Sequence, residues 1–200
     1  VTVRGVVLAG GHSRRFGDAN KATAVLAGTP LVARAVDAAA AATGRPPLVA
    51  VQTDAQRDEL AAALDASVSF VRDAPGYDGP LAGLVAAARR ATADSLVAVA
   101  CDMPFASADA LDWVARQAGD AAAVVPVAGG AVQPLHARYA TAPLAAGPDT
   151  DARLVALLDE LDAERVPAAA SPPSVPLAAS LTNVNTRRDL AAARAARRAP

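Results

Sequence analysis

Ser95-Leu96-Val97-Ala98-Val99-Ala100-Cys101-Asp102 is the most continuous apolar run in the chain, and it ends on a carboxylate. Apolar residues stand at both odd and even positions, so a strand formed here needs cover on both faces, as a central strand of a parallel sheet has. The run is strand-sized, far short of the roughly 20 residues that a membrane-spanning helix requires. Shorter runs of the same kind lie upstream, near Thr2–Leu8, Leu48–Val51 and Val68–Val71. Helical patterns separate and follow them, near Pro30–Ala42, Ala55–Leu64, Pro80–Ala91 and Ala108–Ala118. Pro30 and Pro80 suit a first helical turn, where no amide hydrogen is needed. The order β-α-β-α-β-α-β-α predicts a three-layer α/β/α Rossmann-like fold with a mainly parallel central sheet.

Beyond Gly119 the pattern changes. Ala121–Val127, a Gly129-Gly130 turn and Val132–Tyr139 read as a hairpin or as two neighbouring strands, making the sheet partly mixed. Leu154–Leu161 reads as a helix, Ala168–Pro176 as a surface loop and Leu181–Val184 as a last short strand. Thr186 stands three residues before Asp189, a spacing in which each side chain can satisfy an amide at a helix start. The five arginines from Arg187 to Arg198 on that final helix read as a solvated face. No repeat or linker divides the 200 residues, so residues 1–200 are expected to form a single domain.

Composition narrows the function. The 53% hydrophobic fraction is swollen by alanine, which suits helix surfaces as well as cores. A net charge of −1 gives no global attraction to nucleic acid, and three Phe, two Tyr and one Trp leave few stacking platforms. Nothing before Gly5 resembles a charged segment leading into a signal-peptide core, so a cytoplasmic protein without a membrane anchor is expected. The single cysteine, Cys101, has no internal partner and reads as a buried thiol.

In sheets of this class ligands sit beyond the carboxyl ends of the strands, which directs attention to the loops after Leu8, Val51, Val71 and Ala100. The first reads Leu8-Ala9-Gly10-Gly11-His12-Ser13-Arg14-Arg15-Phe16-Gly17-Asp18-Ala19-Asn20-Lys21. Glycines let backbone amides turn toward an anion, while Arg15 and Lys21 offer charge to a polyphosphate. Neither the dinucleotide fingerprint nor the P-loop pattern fits its spacing. The glycines alone also fit an ordinary surface turn. Lys21, however, is the one lysine among 19 Lys plus Arg residues, as a phosphate-binding point charge would be where a broad guanidinium cannot substitute. Asp102 has two readings: a hard oxygen ligand for Mg²⁺, or a turn residue before Met103-Pro104. Asp73 shares that ambiguity. Gly79-Pro80-Leu81-Ala82-Gly83 combines a helix start with small residues that permit close approach by a ligand or a neighbouring backbone, a pattern that helix packing alone also explains. His12 and His136 lack zinc-ligand spacing, and no nucleophile–base pattern stands out.

Together, LAGGHSRRFG followed by Lys21, Asp73 with GPLAG six residues on, CDMPF at 101–105, Gln133-Pro134-Leu135, and Leu181-Thr182-Asn183-Val184-Asn185-Thr186 resemble the molybdenum cofactor guanylyltransferases. These are the molybdopterin-guanine dinucleotide biosynthesis protein A family of the nucleotidyltransferases. The resemblance runs from the first strand to the last helix. It implies that Leu8, Ala9, Gly10 and Gly11 hold the nucleotide largely through backbone, that Arg15 and Lys21 neutralise its phosphates, and that Asp102 binds Mg²⁺. Asp73 would also bind the nucleotide. Gln52 stands where the family usually has Asn, and Phe16 where it usually has Met. Asn183 and Asn185 match the segment lining the pterin side of the crevice. Gly10-Gly11 resembles the guanylyl branch, since the cytidylyl branch usually has Ala-Gly there. The implied substrates are GTP and Mo-molybdopterin, with cofactor-delivery and acceptor molybdoenzyme proteins as further partners. The alternatives are a cytidylyltransferase or other nucleotidyltransferase on the same scaffold, and a non-catalytic nucleotide-binding protein.

Overall fold

A computed structural model describes residues 1–10, 20–64, 68–117, 120–148 and 154–196. In chain order the strands and helices are β1 (Val3–Leu8), β2 (Val25–Leu26), β3 (Thr29–Pro30), α1 (Leu31–Thr43), β4 (Leu48–Val51), α2 (Asp54–Ala62), β5 (Ser69–Arg72), α3 (Gly79–Arg90), β6 (Ser95–Ala100), α4 (Ala108–Ala115), β7 (Ala123–Ala128), β8 (Ala131–Val132), β9 (His136–Ala140), α5 (Thr141–Ala146), α6 (Leu154–Glu160), β10 (Glu164–Pro167), α7 (Leu177–Ser180) and α8 (Arg187–Ala196).

The main sheet has the order β10-β7-β9-β6-β1-β4-β5, with β8 paired to β7. β1 is parallel to both β4 and β6, and β4 to β5; β9 runs antiparallel between β6 and β7. The sheet is therefore mainly parallel and partly mixed, as the strand pattern predicts. Alternation explains why the central strands need two covers. Val6 and Leu8 of β1, Leu48 and Ala50 of β4, and Leu96 and Ala98 of β6 pack on one side with Leu81, Leu84 and Leu157. Val7, Val49, Val51, Val97 and Val99 pack on the other with Val32, Val36, Leu60 and Leu111. One layer thus holds α3, α5 and α6; the other holds α1, α2 and α4. The chain leaves β1 toward β4 and leaves β6 toward β9, so the carboxyl ends of β1 and β6 flank a topological switch point.

Several expectations need correction. Leu181–Val184 forms no strand: Leu181 packs with Leu177, Ala110 and Val114, whereas Val184 packs with Leu26, Leu31 and Leu190. Apolar residues three apart here serve two separate side clusters rather than one face of a sheet. β10 is an additional edge strand parallel to β7, with Val166 its one buried residue. Pro30 precedes α1 with an extended ψ of 147° and belongs to β3; Pro80 does lie in the first turn of α3. The β2–β3 hairpin turns through Ala27 and Gly28, both at positive φ, as a two-residue primed turn requires.

α8 begins with the reciprocal cap read from Thr186 and Asp189. The Asp189 amide donates to Thr186 Oγ1 at 3.1 Å, and the Thr186 amide donates to Asp189 Oδ2 at 2.8 Å. No described helix is long and apolar enough to cross a membrane. Thr186→Ala should lower unfolding free energy by about 1 kcal/mol in urea titrations, because α8 loses its cap; an unchanged midpoint would separate the cap from stability.

Candidate active site

The cleft lies over the carboxyl ends of the central strands, and its walls include Leu8, Gly10, Lys21, Asp73, Gly83 and Asp102. Backbone pairing carries each wall past the end of its strand. The Cys101 amide donates to the Leu8 carbonyl at 3.1 Å, so Asp102 is delivered beside the glycine-rich loop. The Asp73 amide donates to the Val51 carbonyl at 2.9 Å, which fixes the opposite wall.

Asp102 meets Lys21 directly. Lys21 Nζ donates to Asp102 Oδ2 at 2.6 Å and to Asn185 Oδ1 at 3.2 Å. The two charged side chains are 17% and 16% exposed, so solvent screens the pair only in part. Asp102 Oδ1 is buried and has no hydrogen-bond partner among the described residues. A second element closes on the same point: the Val184 amide donates to the Asp102 carbonyl at 2.8 Å, bringing the 181–185 segment over the end of β6.

Asp73 Oδ1 is likewise buried without a described partner, and burial pushes the Asp73 carboxyl up to about 6. Two glycines make room for it. A Cβ on Gly10 would stand 2.7 Å from Asp73 Oδ2, and one on Gly83 would stand 2.9 Å from the Ala50 Cβ and 3.3 Å from Asp73 Oδ1. The glycines at 10 and 83 therefore permit a close approach of loop, helix and carboxylate.

Of the residues expected at the site, Leu8, Ala9, Gly10, Lys21, Asp73 and Asp102 line one cleft, and Asn185 joins it through Lys21. Gln52 stands beside Gly10, its Cγ 3.3 Å from where a Gly10 Cβ would lie. Asn183 is exposed, and its amide lies 3.5 Å from the Leu181 carbonyl. Gly11 and Arg15 lie outside the described residues. Gln56 was not among the expected residues. Its Nε2 donates to the Ala9 carbonyl at 2.7 Å and its Oε1 accepts from the Gln52 amide at 2.8 Å, tying the ends of β1 and β4 together.

No nucleophile emerges from the described residues. Burial pushes the Cys101 thiol up to about 12, with Asp102 adding to the shift, so it stays protonated. His136 Nε2 lies 2.7 Å from Ser180 Oγ, but both residues are fully buried and Ser180 also accepts from the Ser107 amide. Burial pulls His136 down to about 4, leaving it neutral. That pair fastens α7 to β9 and to the start of α4.

Parallel strands that end at a switch point, with Gly10, Asp73 and the Lys21–Asp102 pair in one cleft, fit a nucleotidyltransferase, and the class is shown by the family match. The chain belongs to the MobA-like NTP transferase domain family, whose model matches residues 5–166. It is 34% identical over 164 residues to a Natronomonas pharaonis protein named "Probable molybdenum cofactor guanylyltransferase", covering 79% of this chain and 80% of that protein. It is 34% identical over 113 residues to the molybdenum cofactor guanylyltransferase of Shewanella amazonensis, covering 56% of this chain and 54% of the relative. The fold matches the crystal structure of molybdopterin-guanine dinucleotide biosynthesis protein A from Archaeoglobus fulgidus with a TM-score of 0.81 at 24% identity, over 96% of this chain and 97% of that one.

A raised carboxyl pKa penalises the folded state wherever the carboxylate is ionised. The Asp73 penalty is therefore complete above about pH 6 and fades as pH falls toward the unfolded value near 3.8. Asp73→Asn should melt higher than the parent protein at about pH 8, with the gap closing near pH 4. A gap that is constant with pH would mean that Asp73 is not desolvated in the folded protein.

Proposed function

We propose that the protein transfers GMP from GTP to the terminal phosphate of Mo-molybdopterin, giving molybdopterin guanine dinucleotide and pyrophosphate. The observation that carries this reading is Asp102: a cleft carboxylate with one oxygen on the Lys21 ammonium and the other buried without a described partner. The names of the relatives from Natronomonas and Shewanella support the guanylyl donor and the molybdenum cofactor acceptor.

In the proposed reaction an acceptor phosphate oxygen attacks the α-phosphorus of GTP in line. The new P–O bond forms as the bond to the β-phosphate breaks, and pyrophosphate leaves with the electron pair. The acceptor phosphate is ionised at neutral pH, so neither a protein nucleophile nor a strong base is required. Catalysis then rests on positioning two anions and neutralising charge as it moves onto the leaving group. Lys21 and Arg15 supply fixed positive charge to the triphosphate. Backbone of Leu8, Ala9, Gly10 and Gly11 cradles the nucleotide, which Asp73 also binds, with Gln52 toward the guanine and Asn183 and Asn185 on the pterin side.

The unpartnered Asp102 Oδ1 fits a divalent cation, because a hard oxygen with an unmet demand for positive charge is what Mg²⁺ takes from a protein. Asp102 would hold Mg²⁺, which usually binds one or two carboxylates plus water and substrate phosphates; when bound it would screen the triphosphate and favour departure of pyrophosphate.

Asp102→Ala should fold normally yet lose about a hundredfold or more of its Mg²⁺-dependent turnover, and near-parental turnover would remove Asp102 from the metal site. Lys21→Ala should weaken GTP binding by about tenfold, read by calorimetry, whereas an unchanged dissociation constant would contradict its phosphate role. The base is tested by titrating GTP, CTP, ATP and UTP with and without Mg²⁺. A Mg²⁺-dependent preference for GTP supports the guanylyl reading, preference for CTP assigns the cytidylyl reaction, and turnover-free binding assigns a non-catalytic protein.

A further inference from the structure

Both ends of the glycine-rich loop are fastened to one face of α2. At the entrance, Gln56 Nε2 donates to the Ala9 carbonyl at 2.7 Å. At the exit, Glu59 Oε2 accepts from Asn20 Nδ2 at 2.9 Å, and Glu59 Oε1 lies 3.3 Å from the Thr23 hydroxyl. Gln56 and Glu59 are three residues apart, the spacing that places side chains on the same side of a helix.

The chemistry of the partners forces the orientation of each amide. A carboxylate can only accept, so Asn20 must offer Glu59 its Nδ2 and keep Oδ1 for the Ala22 amide, which donates to it at 3.0 Å. That second bond caps the 3₁₀ turn Lys21–Thr23. Lys21 begins this turn and reaches Asp102 from it. In the same way the Ala9 carbonyl can only accept and the Gln52 amide can only donate, so Gln56 has one arrangement that satisfies both.

Glu59 is exposed, and its negative charge opposes a polyanion bound in the neighbouring loop. A carboxylate in that place is unfavourable for phosphate binding through charge, so its contribution must come through the hydrogen bond that orients Asn20.

We propose that Gln56 and Glu59 are positioning residues for nucleotide binding: from one face of α2 Gln56 holds the entrance of the glycine-rich loop at Ala9, and Glu59 holds its exit and, through Asn20, sets where Lys21 stands. This inference rests on the reading that the loop binds a triphosphate, so its test needs one readout that involves no nucleotide.

Lys21 provides it, being the one lysine in the chain. Acylation of its amine by an N-hydroxysuccinimide ester can be timed by peptide mass spectrometry on the intact, nucleotide-free protein. Glu59→Ala should label about threefold faster at Lys21 and bind GTP about fivefold more weakly, because the oriented Asn20 is lost. Glu59→Gln retains an acceptor for Asn20 and removes the opposing charge, so it should label at the parental rate and bind GTP at least as tightly. Gln56→Glu, which keeps the acceptor for the Gln52 amide but loses the donor to Ala9, should weaken GTP binding at neutral pH and recover as acid protonates the new carboxyl. Parental labelling in Glu59→Ala overturns the proposal, as does a Glu59→Gln variant as impaired as Glu59→Ala. If labelling responds as expected but the parent protein binds no nucleoside triphosphate, positioning of Lys21 stands and the nucleotide reading fails.

Discussion

Lys21 and Asp102 are 81 residues apart in sequence and 2.6 Å apart in space, and the cleft is organised around that contact. A buried or half-buried carboxylate cannot remain charged at low cost without a counter-charge, and the lysine supplies one. The same contact joins the exit of the glycine-rich loop to the end of the central strand. Asn185 accepts from the same ammonium, which links the C-terminal segment to both. Three regions distant in the chain therefore share one charged group. The remaining Asp102 oxygen is buried in the same cleft without a hydrogen-bond partner among the described residues.

The sheet makes that meeting possible. Parallel pairing of β1 with β6 over Val3–Leu8 and Ser95–Ala100 sets the two carboxyl ends level, so the loop after Leu8 and the turn after Ala100 open on the same crevice. Apolar residues of both parities in these strands require helices on both faces, which leaves the strand ends as the exposed place for polar chemistry. α2 adds a lateral constraint, since Gln56 and Glu59 reach the loop from the side while Leu60 of the same helix is buried in the core.

How much of this was legible in the sequence follows from the range of each signal. The run from Ser95 to Cys101 and its shorter counterparts fix strand identity because their demand for two covers is local to the run. Lys21 and Asp102 were legible separately, as a solitary ammonium after a glycine-rich loop and a carboxylate after a buried strand. Their direct contact was not, since the register of β1 against β6 that brings them together is a tertiary property. Gln56 and Glu59 escaped for a different reason: polar residues on a short helix read as a solvated face, and only the folded loop reveals their partners. Leu181 and Val184 misled as a strand because apolar spacing cannot distinguish one covered face from two small clusters. β10 has a single buried residue, Val166, and so carries almost no hydrophobic pattern.

The most direct test of the account is a turnover assay in which the purified protein receives GTP, Mg²⁺ and Mo-molybdopterin, with pyrophosphate and the dinucleotide product quantified together. The account predicts that both appear in equal amounts and that neither appears when molybdopterin is withheld. Pyrophosphate release independent of the acceptor, or its absence with every component present, would contradict it.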